Sequence, residues 1–335
     1  SKYFKICCRG NLNRLYWFSK HIDNEEYNDH TMEKYILGSS LLLAASGVVE
    51  AQNQVENTVK GEVRVDKPHI VLIMSDQHRG DAMNCMGNSA VVTPNMDALA
   101  QDGTLFTNGY SSTPSSTPAR AGLLTGLSPW HHGMLGYGRV GSSYRYEMPA
   151  MLRELGYFTF GIGKMHWFPQ KTLHGFHGTL VDESGRVESD DFISDYRLWF
   201  HMQAPGKNPD ATGIGWNDHG AGVYRLSEEL HPTAWTGQMA CEMIRNYDKG
   251  SGESLFLKVS FARPHSPYDP PQRLLELYEG RNVSEPVVGE WCKDKEYAVL
   301  QDVATAPKDA AFGNFGKEYA KKSRRYYYAN VTFVD

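Results

Sequence analysis

The sequence is poor in cysteine, has no long run of basic residues and has no apolar run long enough to cross a membrane. Of its five cysteines, the three beyond residue 51 are an odd, widely spaced set that forms neither a disulfide framework nor a zinc site: Cys85, Cys241 and Cys292. The net charge of −5 gives no reason to expect nucleic-acid binding. With 12% aromatics and 32 glycines, the composition favours a loop-rich globular enzyme over a coiled coil or a disordered chain.

The first 67 residues differ in composition from the rest. Residues 1–31 show no clear periodicity, and a short charged start, an apolar run over 36–49 and small residues up to Ala51 follow. This layout is typical of a secretory signal peptide, with a short buried helix as the alternative. We therefore expect upstream translation or disorder over 1–31, a signal peptide over 32–51, a polar linker over 52–67 and a periplasmic or secreted protein. No cysteine follows the apolar run, so we expect no stable membrane anchor.

Three continuous apolar runs are typical of strands covered on both faces, over residues 69–75, 157–163 and 255–261. Each run is followed at once by polar residues suited to chemistry: Asp76 and Gln77, Lys164 and His166, and His265. In an open α/β sheet, ligands bind just beyond the carboxyl ends of the strands. The sequence therefore predicts an α/β fold in which these residues outline one site.

A serine, a proline and an arginine are closely spaced near the start of a predicted helix. Pro118 is favoured at the first helical position and Thr117 is a good N-cap before it. Ser116 would then lie just ahead of a helix N-terminus, where free N–H groups favour an anion. Arg120, on the first turn, would add donors suited to a tetrahedral oxyanion. The alternative is a polar surface loop that leads into an ordinary helix.

The pair that follows the first strand suits a metal ion. The carboxylate of Asp76 and the amide oxygen of Gln77 are the kind of ligand that calcium takes in proteins. The alternative for Asp76 is a helix cap.

The pattern of Ser116, Pro118 and Arg120, followed by an apolar pair and Thr125-Gly126, resembles the signature of the sulfatase family. The resemblance is to the serine-type bacterial branch. It implies an alkaline-phosphatase-like α/β/α sandwich with a large, mostly parallel sheet. It also implies that a maturation enzyme converts Ser116 to formylglycine, whose hydrated aldehyde attacks a sulfate ester.

The same resemblance assigns roles to the residues at the strand ends. One calcium ion would be held by Asp76, Gln77 and the group at Ser116. Arg120 and Lys164 would balance the charge of the sulfate. Either His166 or His265 would protonate the leaving alcohol, and the sequence does not choose between them.

Other segments also look like parts of a sulfatase: a helix over 93–100, a strand over 103–110 and a helix over 326–335. The resemblance covers residues 68–335, about the first two-thirds of a catalytic domain. Two further metal ligands and a further lysine of the family are not in this stretch. We therefore expect an incomplete catalytic domain, with its C-terminal part missing.

Residues 170–232 have few apolar runs, and we expect a loop-rich insertion near the site that sets specificity. Its aromatic residues would either stack on sugar rings or act as buried anchors: Trp199, Trp216 and Tyr224. Four histidines in Gly- and Pro-rich surroundings are expected to be exposed loop residues: His131, His132, His174 and His177. Asp218-His219 looks like a second metal pair but precedes the His265 segment, so we expect it to be no ligand.

The predicted activity is hydrolysis of sulfate monoesters, with a sulfated carbohydrate as the substrate. Two alternatives stay open. One is a phosphomonoester or phosphonate hydrolase of the same superfamily that uses unmodified Ser116. The other is a non-catalytic secreted protein that binds sulfated glycans.

Overall fold

The computed structural model describes residues 4–8, 67–247, 252–285, 287, 289, 290 and 316–335. The predicted signal peptide, nearly all of the predicted linker, and Cys292 lie outside the described residues. None of the helices in these ranges is long and apolar enough to cross a membrane.

Five strands form one sheet within the described ranges: β1 (Phe4–Cys8), β2 (Ile70–Asp76), β3 (Tyr157–Gly163), β4 (Gly178–Val181) and β5 (Ser254–Pro264). Their order across the sheet is β1-β2-β5-β3-β4. The four strands from β2 to β4 are parallel, and β1 pairs antiparallel with β2 at the edge. The three strands predicted from apolar runs are β2, β3 and β5, so the predicted α/β class is confirmed.

Eight α-helices lie in the described ranges: α1 (Pro94–Asp102), α2 (Ser116–Thr125), α3 (Pro129–His132), α4 (Met148–Glu154), α5 (Asp195–Gln203), α6 (Pro232–Tyr247), α7 (Gln272–Glu276) and α8 (Lys317–Val334). Two short 3₁₀ helices add Asn84–Met86 and Glu228–Leu230. Helices α6 and α8 pack against β5, and α4 packs against β3.

Apolar side chains on both faces of the sheet are buried. On one face, Leu72 and Phe256 pack in a cluster with Leu124 of α2. On the other face, Leu257 packs in a cluster with Met243 of α6. Because successive side chains of a strand point to opposite faces, a strand covered on both sides must be apolar throughout. The result is a three-layer α/β/α sandwich, as predicted.

The structure corrects one predicted element and adds two. Residues 103–110 form no strand; most of their side chains are exposed and no neighbouring strand pairs with them. Without a neighbouring strand to pair with, the exposed backbone N–H and C=O groups of residues 103–110 are free to bond with solvent, so no strand forms. The segment over 170–232, predicted as rich in loops, also contributes β4 to the sheet and helix α5. The helices predicted near 93–100 and 326–335 are present as α1 and α8.

Candidate functional site

The carboxyl ends of β2, β3 and β5 lie together at one edge of the sheet. The regular β2–β5 register breaks after Ser75, and Asp76 pairs instead with Pro264. The N–H of Lys164 donates to the carbonyl oxygen of Ser260 at 2.7 Å, and the N–H of His265 donates to that of Asp76 at 3.0 Å. Backbone hydrogen bonds therefore fix the three polar strand ends against one another.

Helix α2 brings Ser116 to this edge. The helix begins at Ser116, and its N-cap is Ser115 rather than the predicted Thr117. Pro118 is therefore the third helical residue, which is tolerated because the first four N–H groups of a helix have no partner within it. Ser116 thus lies in the first turn instead of ahead of the helix, half-buried and still at its N-terminal end.

One oxygen of the buried Asp76 carboxylate lies at the centre of the site. Asp76 Oδ2 accepts a hydrogen bond from Ser116 Oγ at 3.0 Å and from Arg120 Nη2 at 2.9 Å. The ammonium nitrogen of Lys164 lies 3.3 Å from the same oxygen. Both cations are almost fully buried, so their charges act across a medium that screens weakly. A single carboxylate therefore holds a hydroxyl and two positive charges in one place.

Arg120 fixes the position of the Ser116 hydroxyl. Its Nε donates to Ser116 Oγ at 3.1 Å, and its Nη1 donates to the Lys164 carbonyl at 2.6 Å and to Ser260 Oγ at 3.0 Å. A planar guanidinium with every edge engaged cannot rotate without breaking several hydrogen bonds. The hydroxyl consequently faces a rigid cationic donor.

His166 also contacts the hydroxyl. Its Nδ1 lies 3.1 Å from Ser116 Oγ, while its Nε2 is buried and has no hydrogen-bond partner among the described residues. Burial and the nearby charge of Lys164 hold the pKa of His166 well below its usual range. His166 has a backbone φ of +58°, a left-handed conformation that is uncommon for a residue other than glycine. A neutral imidazole is thus held against the candidate nucleophile in a strained backbone position.

The charges of this edge also affect the pKa values of His265 and Lys164. Burial, followed by the charge of Lys164, lowers the pKa of His265 to about 4. The Nδ1 of His265 lies 3.0 Å from the carbonyl oxygen of Ser266. Burial also lowers the pKa of Lys164, although the carboxylate of Asp76 opposes that shift. Proximity of the strand ends therefore couples the charges of all three segments.

The donors predicted to bind calcium fit the ion in kind. Asp76 and Ser116 present oxygen atoms 3.0 Å apart, and the exposed Gln77 follows with a backbone φ of +54°. Calcium takes roughly six to eight oxygen ligands. In the ranges that the structure covers, no three acidic, histidine or cysteine side chains converge on one point. The described donors would thus form one side of a calcium coordination shell.

Glu183 belongs to the site, although the sequence analysis did not single it out. It follows β4 and is 1% exposed. Its Oε1 accepts the backbone N–H of Met165 at 3.0 Å and that of His166 at 2.8 Å, and its other oxygen pairs with Arg186. Strand β4 has only four residues, so its polar end is hard to recognise in sequence. Glu183 holds the strained segment that carries the histidine.

A second unpredicted residue, Lys258, lies beneath the site in the middle of β5. Its ammonium nitrogen is 3.3 Å from Met165 Sδ and 4.9 Å from the centre of the Trp167 ring. Burial lowers the pKa of Lys258 well below the usual lysine value. The signal was available in the sequence, because a lone lysine interrupts an otherwise apolar strand.

The remaining candidates make contacts of their own. Asp218 Oδ1 accepts the N–H of Gly220 at 2.7 Å, a local turn contact. Two of the four histidines expected to be exposed are buried instead, because His174 pairs with Glu147 at 2.7 Å and His132 packs at the end of α3.

The three aromatic residues of the 170–232 segment differ in exposure. Tyr224 is buried, which favours an anchoring role, and Trp199 packs against Tyr196. Trp216 is 37% exposed.

Replacing Glu183 with alanine is expected to lower kcat about tenfold to 100-fold with little change in KM. The loss follows because the backbone N–H groups of Met165 and His166 would lose their shared acceptor, Glu183 Oε1, and misplaced supporting groups typically cost that much. Steady-state kinetics with a sulfate ester, the substrate class predicted from the sequence, measures kcat and KM separately.

The matched control is Glu188→Ala, because Glu188 also pairs with Arg186 but accepts no N–H from this segment. Glu183→Gln is expected to recover much of the activity, since an amide oxygen still accepts both N–H groups. Equal losses in the alanine variants of Glu183 and Glu188 would contradict the positioning role.

Comparison with known proteins places this geometry in a family. The sulfatase family model matches residues 68–335. An arylsulfatase of Clostridium perfringens is 35% identical over 284 residues, which cover 80% of this chain and 57% of that protein. The solved phosphonate monoester hydrolase of Agrobacterium radiobacter has a TM-score of 0.59 at 23% identity, with 79% of this chain and 56% of that one covered.

A further protein, solved in complex with its substrate D-glucosamine-2-N,6-O-disulfate, has a TM-score of 0.54 at 19% identity. That match covers 80% of this chain and 60% of the other. The two structural similarities support the fold, and the chain spans between 56% and 60% of the length of these three relatives. The family model and the identity to the arylsulfatase show that the chain belongs to the sulfatase family.

Proposed function

We propose that this protein hydrolyses sulfate monoesters, with the oxygen at position 116 as the nucleophile. The observation that carries the proposal is the Ser116 hydroxyl, held 3.1 Å from Arg120 Nε and 3.1 Å from His166 Nδ1. A sulfate group placed against this hydroxyl would meet the charges of Arg120 and Lys164. Fixed cations of this kind stabilise the negative charge that develops in the transition state.

The nucleophile in this proposal is formylglycine, made from Ser116 by a maturation enzyme that supplies the oxidant. The serine-type signature and the membership of the sulfatase family support this modification. A hydrated aldehyde offers two hydroxyl groups, one to bond to sulfur and one to expel sulfate as the aldehyde re-forms.

The two histidines divide the proton transfers. His166 contacts the oxygen at position 116, so it accepts the proton of the attacking hydroxyl. His265 directly follows the neighbouring strand and is assigned to the leaving alcohol, whose oxygen must gain a proton as its bond to sulfur breaks. The negative charge of a bound sulfate ester would raise the pKa of His265 above its value of about 4, which lets the imidazole carry this proton. The charges of Arg120 and Lys164 balance the negative charge of the sulfate during both events.

Calcium would be bound by Asp76, Gln77 and the group at position 116, and it would polarise the sulfate as a Lewis acid. The hard oxygen donors at this edge support the choice of ion.

The proposed substrate is a sulfated carbohydrate, and the proposed location is periplasmic or secreted. The related fold of a protein solved with a sulfated glucosamine agrees with this substrate class. The predicted signal peptide supports the location.

Peptide mass spectrometry across position 116 tests the proposal together with an assay for released sulfate. In the native host, we expect the peptide to weigh about two mass units less than its sequence predicts, because oxidation of the hydroxymethyl group removes two hydrogens. An unmodified serine in a protein that cleaves phosphonate esters but not sulfate esters would favour the phosphonate hydrolase alternative. Binding of sulfated glycans without sulfate release would favour the non-catalytic one.

A further inference from the structure

An exposed tyrosine lies directly beside the candidate nucleophile. The side chain of Tyr137 is 65% exposed, and its ring centre is 6.0 Å from that of His166 at an interplanar angle of 64°. His166 Nδ1 in turn lies 3.1 Å from Ser116 Oγ. An aromatic ring of this size is thus one side chain away from the reacting oxygen and largely open to solvent.

The loop that carries Tyr137 is attached to the rest of the fold by the three residues that follow the tyrosine. The N–H of Gly138 donates to Thr117 Oγ1 at 3.2 Å, which attaches the loop to the first turn of α2. The guanidinium of Arg139 lies 4.0 Å from the centre of the Phe168 ring, and Val140 is buried in the core beneath. The backbone directly after Tyr137 is therefore attached to α2 and to the core.

Packing within the described residues does not account for Tyr137. Its one ring contact is the edge-on approach to His166, and most of its aromatic surface faces solvent. Tyrosine offers a large, rigid contact area with few rotatable bonds, which suits it to recognition. An exposed ring at the mouth of a site is a surface for a ligand.

The charges of the site determine which part of a ligand reaches this ring. Arg120 and Lys164 attract the sulfate to the Ser116 hydroxyl, at the bottom of the cluster. Because the sulfate lies against these buried cations, the alcohol part of the ester extends toward solvent. Tyr137 is a solvent-exposed ring only one side chain away from the Ser116 hydroxyl.

We propose that Tyr137 is a substrate-binding residue that stacks on a six-membered ring in the alcohol part of the sulfate ester. This inference rests on the proposed function and specifies its substrate class: esters of ring-bearing alcohols, with the ring next to the sulfated oxygen or one carbon away. Aliphatic sulfates without a ring lack this contact.

Titration calorimetry tests the inference by direct binding, in a Ser116→Ala background so that the ester is not consumed. The probes are N-acetylglucosamine 6-sulfate, 4-nitrophenyl sulfate and ethyl sulfate. Tyr137→Ala is expected to raise the dissociation constant of at least one ring-bearing probe about threefold to tenfold. The dissociation constant for ethyl sulfate is expected to stay the same. Whether the sugar or the aryl probe responds identifies the ring.

Two further variants separate the loss of ring stacking from a general change in the structure of the site. Tyr137→Phe keeps the ring and is expected to bind like the parent, whereas Tyr146→Ala removes another exposed tyrosine, 53% exposed, and should change nothing. An equal loss of binding for ethyl sulfate, or no loss for either ring, overturns the inference.

Turnover by the protein with Ser116 intact is measured separately from binding. If ring-dependent binding is found without sulfate release, the proposed function fails while the role of Tyr137 stands. If sulfate is released but Tyr137→Ala changes neither KM nor binding, the proposed function stands while the role of Tyr137 fails.

Discussion

Ser116→Ala is expected to lower kcat/KM for a sulfate ester by at least about 10⁴-fold, because it removes the oxygen proposed as the nucleophile. The Ser116 hydroxyl is bonded to Asp76, Arg120 and His166, and no other described hydroxyl shares these three partners. Arg120 and Lys164 would remain to bind sulfate. The variant should therefore keep its affinity for the ester while it loses turnover.

The matched control for this variant is Ser115→Ala. Ser115 is the N-cap of α2, yet its side chain makes no capping hydrogen bond, so its loss should leave both folding and turnover nearly unchanged. Thermal unfolding of both variants shows whether the helix start is intact. Residual activity above about 1% in the Ser116 variant would mean that another group is the nucleophile.

The second large effect is expected on stability, at a buried ion pair behind the site. Arg263 donates to the two carboxylate oxygens of Asp269 at 2.8 and 3.0 Å, and both side chains are buried. His231 Nε2 lies 3.4 Å from the same carboxylate. Asp269→Asn would remove the carboxylate to which this buried guanidinium donates both hydrogen bonds. We expect the free energy of unfolding to fall by about 3–5 kcal/mol, measured by urea denaturation.

An exposed pair of the same geometry provides the control. Arg79 donates to both oxygens of Asp81 at 2.8 and 2.6 Å, but these side chains are 52% and 62% exposed. Asp81→Asn is expected to cost less than about 1 kcal/mol, since water screens the pair. Similar losses in the two variants would show that burial does not set the strength of the Arg263–Asp269 pair.

The pH dependence follows from the pKa of Asp269. Burial alone would raise this pKa, but the charges of Arg263 and His231 outweigh it and hold the pKa at about 2, below the ordinary value of 3.8. A carboxyl whose pKa is lowered on folding stabilises the protein above its unfolded pKa, and this contribution is lost as the pH falls through the folded pKa. The difference in stability between the parent and Asp269→Asn should therefore be constant near neutrality and shrink between about pH 4 and pH 2.

Much of the site is predictable from sequence because a buried parallel strand tolerates few polar residues. Asp76, Lys164 and His265 therefore stand out at the ends of apolar runs, and the rule that strand ends share an edge groups them. The structure brings Asp76, Ser116, Arg120 and Lys164 into contact as expected. What each residue does there stays a prediction.

The parts that were missed depend on contacts with no local signal. Glu183 acts through backbone N–H groups of a segment 17 and 18 residues earlier, and its own surroundings look like an ordinary polar turn. The N-cap was misplaced by two residues because Ser115, Ser116 and Thr117 are all suitable caps, and tertiary contacts of the Ser116 hydroxyl decide among them. Gln77 is exposed beside the cluster, and its place as a metal ligand is likewise a prediction.

The strand order has a consequence for how the chain is made. Strand β5 lies between β2 and β3, and its Leu255 N–H bonds to His69 Nδ1 across 186 residues of sequence. At a synthesis rate of roughly 5–20 residues per second, the ribosome needs roughly 10–40 s to make that intervening stretch. For all of that time, the apolar strand that ends in Asp76 lacks its β5 partner. Such a chain depends on protection from aggregation until synthesis has passed β5.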